Sequence, residues 1–170
     1  MIIVSPLSAV PRLVVAGGVS HVLGCLGPES QHPELGLKEQ HHLRLTFHDI
    51  IDEMNGLQAP TREHVEKIVG FVEGWDRSGK LLIHCWAGIS RSTAAAFITL
   101  CALNPEASEH EAARTLRRAS PTAYPNRLLV ALADEALSRN GRMMTAVEEI
   151  GRGKVAEEAE VFALPARLAA

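Results

Sequence analysis

Apolar and polar positions divide the chain into a strand-rich first half and a helix-rich second half. Ile2-Ile3-Val4 is a short β-like run. Val19 to Leu26 is a second, closed by Gly27-Pro28, and Leu43 to Phe47 alternates as a half-buried strand does. Pro28 to Gln40 lies between them, polar with Gly and Pro, and reads as a surface loop. Val65, Ile68, Val69 and Val72 fall at i, i+3, i+4 and i+7, so they form one apolar helix face, which Thr61 is placed to cap. After a turn at Asp76 to Gly79, Lys80-Leu81-Leu82-Ile83-His84 has the apolar run of a strand covered on both faces. Arg91 to Leu103 is Ala-rich and apolar nearly all round, which predicts a buried helix ended by Asn104-Pro105. Ser108-Glu109-His110-Glu111 has capping-box spacing and opens a helix to about Ala119. Asn126 is placed to cap another helix, closed by Asn140-Gly141, and Met143 to Ile150 forms a last one. From Gly151 the chain is rich in Ala and Glu and is expected to fray, so residues 1–150 read as one domain and 151–170 as a flexible tail. Strand-helix-strand succession implies an α/β sheet carrying helices.

A length of 170 residues is about one domain, enough to bury a core. Hydrophobic content of 46% against 22% charged excludes wholesale disorder, and the apolar runs stop well short of a membrane span. A net charge of -3 and only seven aromatic residues (4 Phe, 2 Trp, 1 Tyr) argue against a nucleic-acid binder, which wants a basic face or stacking rings. The three cysteines, Cys25, Cys85 and Cys101, are too scattered for a disulfide framework and fit a reducing compartment. The start of the chain has no basic n-region of a secretory signal. The expectation is a cytoplasmic monomer with neither nucleic acid nor membrane as partner.

The chemistry concentrates in His84-Cys85-Trp86-Ala87-Gly88-Ile89-Ser90-Arg91-Ser92-Thr93. The bare spacing Cys-x5-Arg is weak: three cysteines and 13 arginines in 170 residues give it by chance in roughly one such sequence in five. Context makes it specific, because an apolar strand runs into Cys85 and a buried helix starts at Arg91. Gly88 sits mid-loop, where a tight turn needs positive φ. The backbone N–H groups of Trp86, Ala87, Gly88, Ile89, Ser90 and Arg91 can then converge as an anion nest at a helix N-terminus. Converging dipoles favour thiolate over thiol at Cys85. Arg91 brings a planar fork for two phosphoryl oxygens, and Ser92 can donate to the sulfur as it leaves. A thiolate so placed attacks phosphorus and forms a phosphocysteine that water hydrolyses. Arg91 and the nest carry the charge, so the chemistry calls for no metal and no cofactor. Phosphate, sulfate or vanadate should occupy the loop. His41, His42, His48, Asp49 and Asp52 match no usual metal-ligand spacing.

This segment resembles the signature loop of the cysteine-dependent protein tyrosine phosphatases, in the form of the dual-specificity branch. Gly18-Val19-Ser20-His21-Val22-Leu23 is similar to an early strand of that branch. Phe71-Val72 followed by Gly79-Lys80-Leu81-Leu82-Ile83 is similar to its helix, turn and strand before the loop, and Pro125-Asn126 to a downstream segment. The resemblance covers roughly residues 13 to 140 and implies a mixed central sheet flanked by helices. It implies a hydrolase acting on phosphotyrosine, with phosphoserine and phosphothreonine as a wider range, on a phosphorylated protein or a small phosphoester. The rival is a catalytically inactive phosphoprotein-binding module on the same fold. The family's general acid is an Asp on the loop after a strand, which Asp49 and Asp52 both match. Asp49 follows Leu45-Thr46-Phe47-His48 directly, at the strand end that lines the site in open α/β sheets, and is favoured over Asp52 and Glu53. Asn126 reads as a helix cap or as a support for the loop.

Overall fold

A computed structural model describes residues 1–168. Five strands form one sheet: β1 (Ile2–Pro6), β2 (Val19–Leu26), β3 (His42–Thr46), β4 (Lys80–Cys85) and β5 (Phe162–Leu164), in the order β3-β2-β4-β1-β5. The first four are mutually parallel and β5 runs antiparallel to β1, so the sheet is mixed, as expected. Six helices accompany it among the described residues: α1 (Val10–Val15), α2 (Arg62–Glu73), α3 (Arg91–Leu103), α4 (Glu109–Ala119), α5 (Arg127–Ala136) and α6 (Arg142–Ile150). No helix among the described residues is long and apolar enough to cross a membrane.

Strand alternation sends side chains to two different covers. Leu81, Ile83 and Cys85 of β4 and Leu23 and Cys25 of β2 face the main core, beneath α2 to α6. Leu82 and Val22 face the other side, where α1 and the loop from Pro28 to Gln40 lay Leu13, Val14, Leu35 and Leu37 over them. Helix α3 is the spine of the main layer. Eleven of its 13 residues are buried, as its all-round apolar sequence predicts, and Ala94-Ala95-Ala96 lets it sit close on the sheet. Thr61 caps α2 in a capping box whose return bond goes to the His64 ring. Ser108 Oγ accepts from Glu111 N–H at the start of α4 (3.2 Å), but the Glu111 carboxylate turns to Thr115 and Arg118, so only half of that box forms.

One expectation needs correction, and one helix is an addition. Between β1 and β2 lies α1, in which Val10, Leu13 and Val14 fall at i, i+3 and i+4 over fewer than two turns, too short a stretch for the pattern to announce a helix. The segment from Gly151, read as a fraying tail outside the domain, is laid onto the body of the fold. Lys154 N–H donates to Pro121, Ala159 N–H to Ala87, and β5 pairs with β1, burying Phe162 and Leu164. Arg117 fixes where the segment departs, donating to the carbonyls of Ser120, Pro121, Ile150 and Gly151. The boundary at residue 150 is therefore not a domain boundary. Ala169 and Ala170, the end of that predicted tail, lie outside the described residues.

Candidate active site

Strand β4 ends on Cys85, and after five intervening residues α3 begins at Arg91. Four carbonyls of the intervening loop are drawn outward by their surroundings. Trp86 O accepts from Leu7 N–H (3.0 Å), Ala87 O from Ala159 N–H (2.9 Å), Ile89 O from Tyr124 N–H (2.9 Å) and Ser90 O from Ala94 N–H (2.9 Å). In a trans peptide the N–H points opposite to the carbonyl, so the N–H groups of Ala87, Gly88, Ser90 and Arg91 turn inward. Gly88 shows the result directly: its N–H lies 3.2 Å from Cys85 Sγ. It does so at φ +75°, and a Cβ there would stand 2.8 Å from Pro6 N and 3.0 Å from Ser5 C. Only glycine fits, on two independent grounds.

Cys85 is buried and its Sγ lies 3.1 Å from Ser92 Oγ, the second polar contact to the sulfur. Arg91 is 7% exposed as a residue. One of its nitrogens, Nη1, donates to Phe47 O (2.9 Å), which fixes the plane of the fork, and Nε donates to no protein acceptor. An arginine held this way presents its remaining donors to an oxyanion. The Trp86 ring stands half exposed beside the loop.

Asp49 and Asp52 part company in space. Asp49 Oδ1 accepts from Ser90 Oγ (2.7 Å) and from Asn126 Nδ2 (2.8 Å), which ties it to the loop itself. Among the described residues Oδ2 receives no such bond. Asp52 and Glu53 are exposed farther along the same segment. The base of that segment is pinned twice, by His48 N–H to Gln58 O (2.7 Å) and by Gln58 N–H to His48 Nδ1 (2.8 Å). Asn126 performs both tasks open to it: Oδ1 caps α5 by accepting from Leu129 N–H (2.9 Å), and Nδ2 donates to Asp49 and to Ile50 O. The Arg117 side chain, one of three arginines on α4, is committed to backbone carbonyls rather than to this mouth.

All three cysteines are free. Cys25 faces the main core on β2 beside the end of β4, and burial pushes its thiol far up; Cys101 is pushed up to about 12, again chiefly by burial. Neither is poised to react. The His41, His42, His48, Asp49 and Asp52 set does not converge. His41 stacks on His21 (4.4 Å between centroids), His48 holds Gln58, and His42 lies on the far face of the sheet. Immediately before Cys85, His84 is fully buried, and burial pushes its ring down to about 3. It is a neutral imidazole on the sheet face opposite Cys85.

No family model and no curated protein sequence matches the chain. Solved structures do. Human DUSP28 superposes with a TM-score of 0.60 at 22% identity, over 82% of this chain and 94% of that one. The fold is that of the dual-specificity phosphatases. Cydia pomonella PTP-2 phosphatase follows at 0.59 and 20% identity, over 79% of this chain and 84% of its own. PTPMT1 in complex with PI(5)P follows at 0.56 and 18%, over 82% and 94%. The shared fold thus spans most of this chain and most of each of these neighbours.

Proposed function

We propose that the protein is a phosphomonoester hydrolase that works through a phosphocysteine on Cys85. The observation that carries this reading is the convergence on one sulfur of the Gly88 N–H and the Ser92 hydroxyl, beside the buried Arg91 guanidinium. Three equatorial phosphoryl oxygens would rest on the inward N–H groups and the Arg91 fork, which neutralise charge as the bond order at phosphorus changes. The thiolate attacks phosphorus in line. The bond from phosphorus to the ester oxygen breaks, and Asp49 Oδ2 delivers its proton to the departing oxygen. In the second step water attacks phosphorus, the Asp49 carboxylate takes the water's proton, and the sulfur–phosphorus bond breaks with Ser92 Oγ–H donating to the sulfur.

The substrate class is a phosphorylated protein side chain, phosphotyrosine first and phosphoserine or phosphothreonine with it. PTPMT1 has been seen with a phosphoinositide, but the side chains of Trp86, Ala87 and Ile89 here bring no cation for a multiply phosphorylated head group. The test is phosphate release from para-nitrophenyl phosphate and from a phosphotyrosine peptide, wild type against Cys85→Ser. Turnover lost in the variant with vanadate binding kept supports the reading. Vanadate binding without turnover in the wild type would make the protein a phosphoprotein-binding module instead.

A further inference from the structure

On the sheet face opposite Cys85 three histidines come together. His84 is the last residue but one of β4, next to Cys85, His42 opens β3, and His32 reaches in from the loop between β2 and β3. One ring nitrogen of each lies within 4.8 Å of those of the other two. His84 and His42 are buried, at 0% and 3% exposure, while His32 is half-buried and gives the cluster an edge toward solvent. None of the six ring nitrogens has a hydrogen-bond partner in the protein.

The surrounding chain makes room for this arrangement. Gly24 pairs with His84 on one side and Arg44 on the other. A Cβ at Gly24 would stand 2.7 Å from His84 Nε2 and 2.9 Å from His32 Nδ1, so the missing side chain is what admits the imidazoles. Its backbone is not in the positive-φ region, so turn geometry gives no reason for glycine here. The backbones of Leu45 and Cys85 lie near the His32 and His84 rings without forming a hydrogen bond to them. That is where the second nitrogen of a metal-bound imidazole finds its acceptor.

We propose that His32, His42 and His84 bind one divalent transition-metal ion of the zinc class. Neutral imidazole is the preferred ligand of such ions, and three of them leave a fourth tetrahedral position for a water or another small ligand. Zinc–nitrogen bonds of about 2.0–2.1 Å set the nitrogens about 3.3 Å apart, so each ring closes inward by under about 1 Å. Arg44 brings a like charge nearby, which the Glu34 carboxylate meets at 3.6 Å. The ion would tether the Pro28 to Gln40 loop to β3 and β4 and fix the residue bonded to Cys85. It stands behind the sheet, away from the phosphoryl group, so the role is structural and independent of the hydrolase reading.

The test uses the full-length, tag-free chain, stripped with a chelator, desalted and exposed to zinc chloride, with bound metal read by elemental analysis. We expect roughly one zinc per chain, and with cobalt(II) the intense visible absorption of a tetrahedral site. His32→Ala lies on a half-buried loop position and should keep the fold while weakening zinc by more than about 100-fold, beyond the usual cost of losing an outer-shell partner. Cys85→Ser should keep the zinc, which separates this site from capture by the nucleophile. Substoichiometric zinc in the wild type, equal binding by His32→Ala, or loss of zinc in Cys85→Ser would each overturn the proposal.

Discussion

Gly88→Ala tests whether the loop geometry is as tightly imposed as the contacts imply. Alanine at φ +75° costs about 1–2 kcal/mol for the left-handed conformation alone. The new methyl would also stand 2.8 Å from Pro6 N and 3.0 Å from Ser5 C, backbone atoms of β1 that are pinned by pairing with β4. Relief by overpacking costs about 1–3 kcal/mol more. The sum, about 2–5 kcal/mol, lowers Tm by about 4–20 °C at 2–4 °C per kcal/mol for a chain of this size. The loop has a second escape, which is to rotate the Gly88 peptide so that its N–H leaves Cys85 Sγ. That removes one oxyanion donor and costs about 10²–10³ in kcat. Thermal melting and para-nitrophenyl phosphate kinetics read the two costs separately. A variant within about 1 °C and threefold of wild type in both would mean that the loop is not packed against β1 as described, and the inward-facing nest would fall with it.

The remaining predictions probe the acid, the C-terminal segment and a titrating cap. Asp49→Asn should slow phosphopeptides and alkyl phosphates about 10²–10⁴-fold and substrates with acidic leaving groups far less, while removing the basic limb of the pH–rate profile; Asp52→Asn should change neither, and the opposite pattern would move the role to Asp52. Truncation after Ile150 uncovers β1 and removes the buried Phe162 and Leu164, so chemical denaturation should find a loss of about 3–6 kcal/mol; a loss under about 1 kcal/mol would restore the tail reading. Burial first, then Lys67, holds the His64 ring below its usual range, and Nδ1 must stay neutral to accept from Thr61 N–H (3.0 Å). The unfolded chain therefore takes up the proton first, so this contribution is whole above about pH 6.5 and declines as pH falls. His64→Ala should cost about 0.5–1 kcal/mol at pH 7.5 and less at acidic pH by denaturant titration, and an equal cost at both would refute the cap.

How much was legible in the sequence follows from how local each feature is. The Cys85–Ser92 loop was readable because its parts are neighbours in the chain: strand, glycine turn and helix start lie within ten residues. Helix α3 was readable because burial on every side leaves an apolar residue at nearly every place. Choosing Asp49 over Asp52 rested on position after a strand, whereas the structure adds bonds from Ser90 and Asn126, 41 and 77 residues away. The C-terminal segment misled because its Ala and Glu content is that of a solvated tail; a three-residue strand and an arginine clamp hold it instead. The histidine cluster was invisible as a motif. Histidines 10 and 42 residues apart in sequence meet only through sheet register and the space beside Gly24, whereas His41 and His48, close to His42 in sequence, diverge from it in space.

The central claim is the covalent intermediate on Cys85. Rapid acid quench of the wild type during turnover of a phosphotyrosine peptide, followed by mass spectrometry of the peptide holding residues 80–91, measures it directly. The account predicts one phosphoryl group on Cys85, which accumulates within a turnover, persists longer in the Ser92→Ala variant and is absent from Cys85→Ser. Turnover that continues with no phosphoryl group on Cys85 in either the wild type or Ser92→Ala would contradict it.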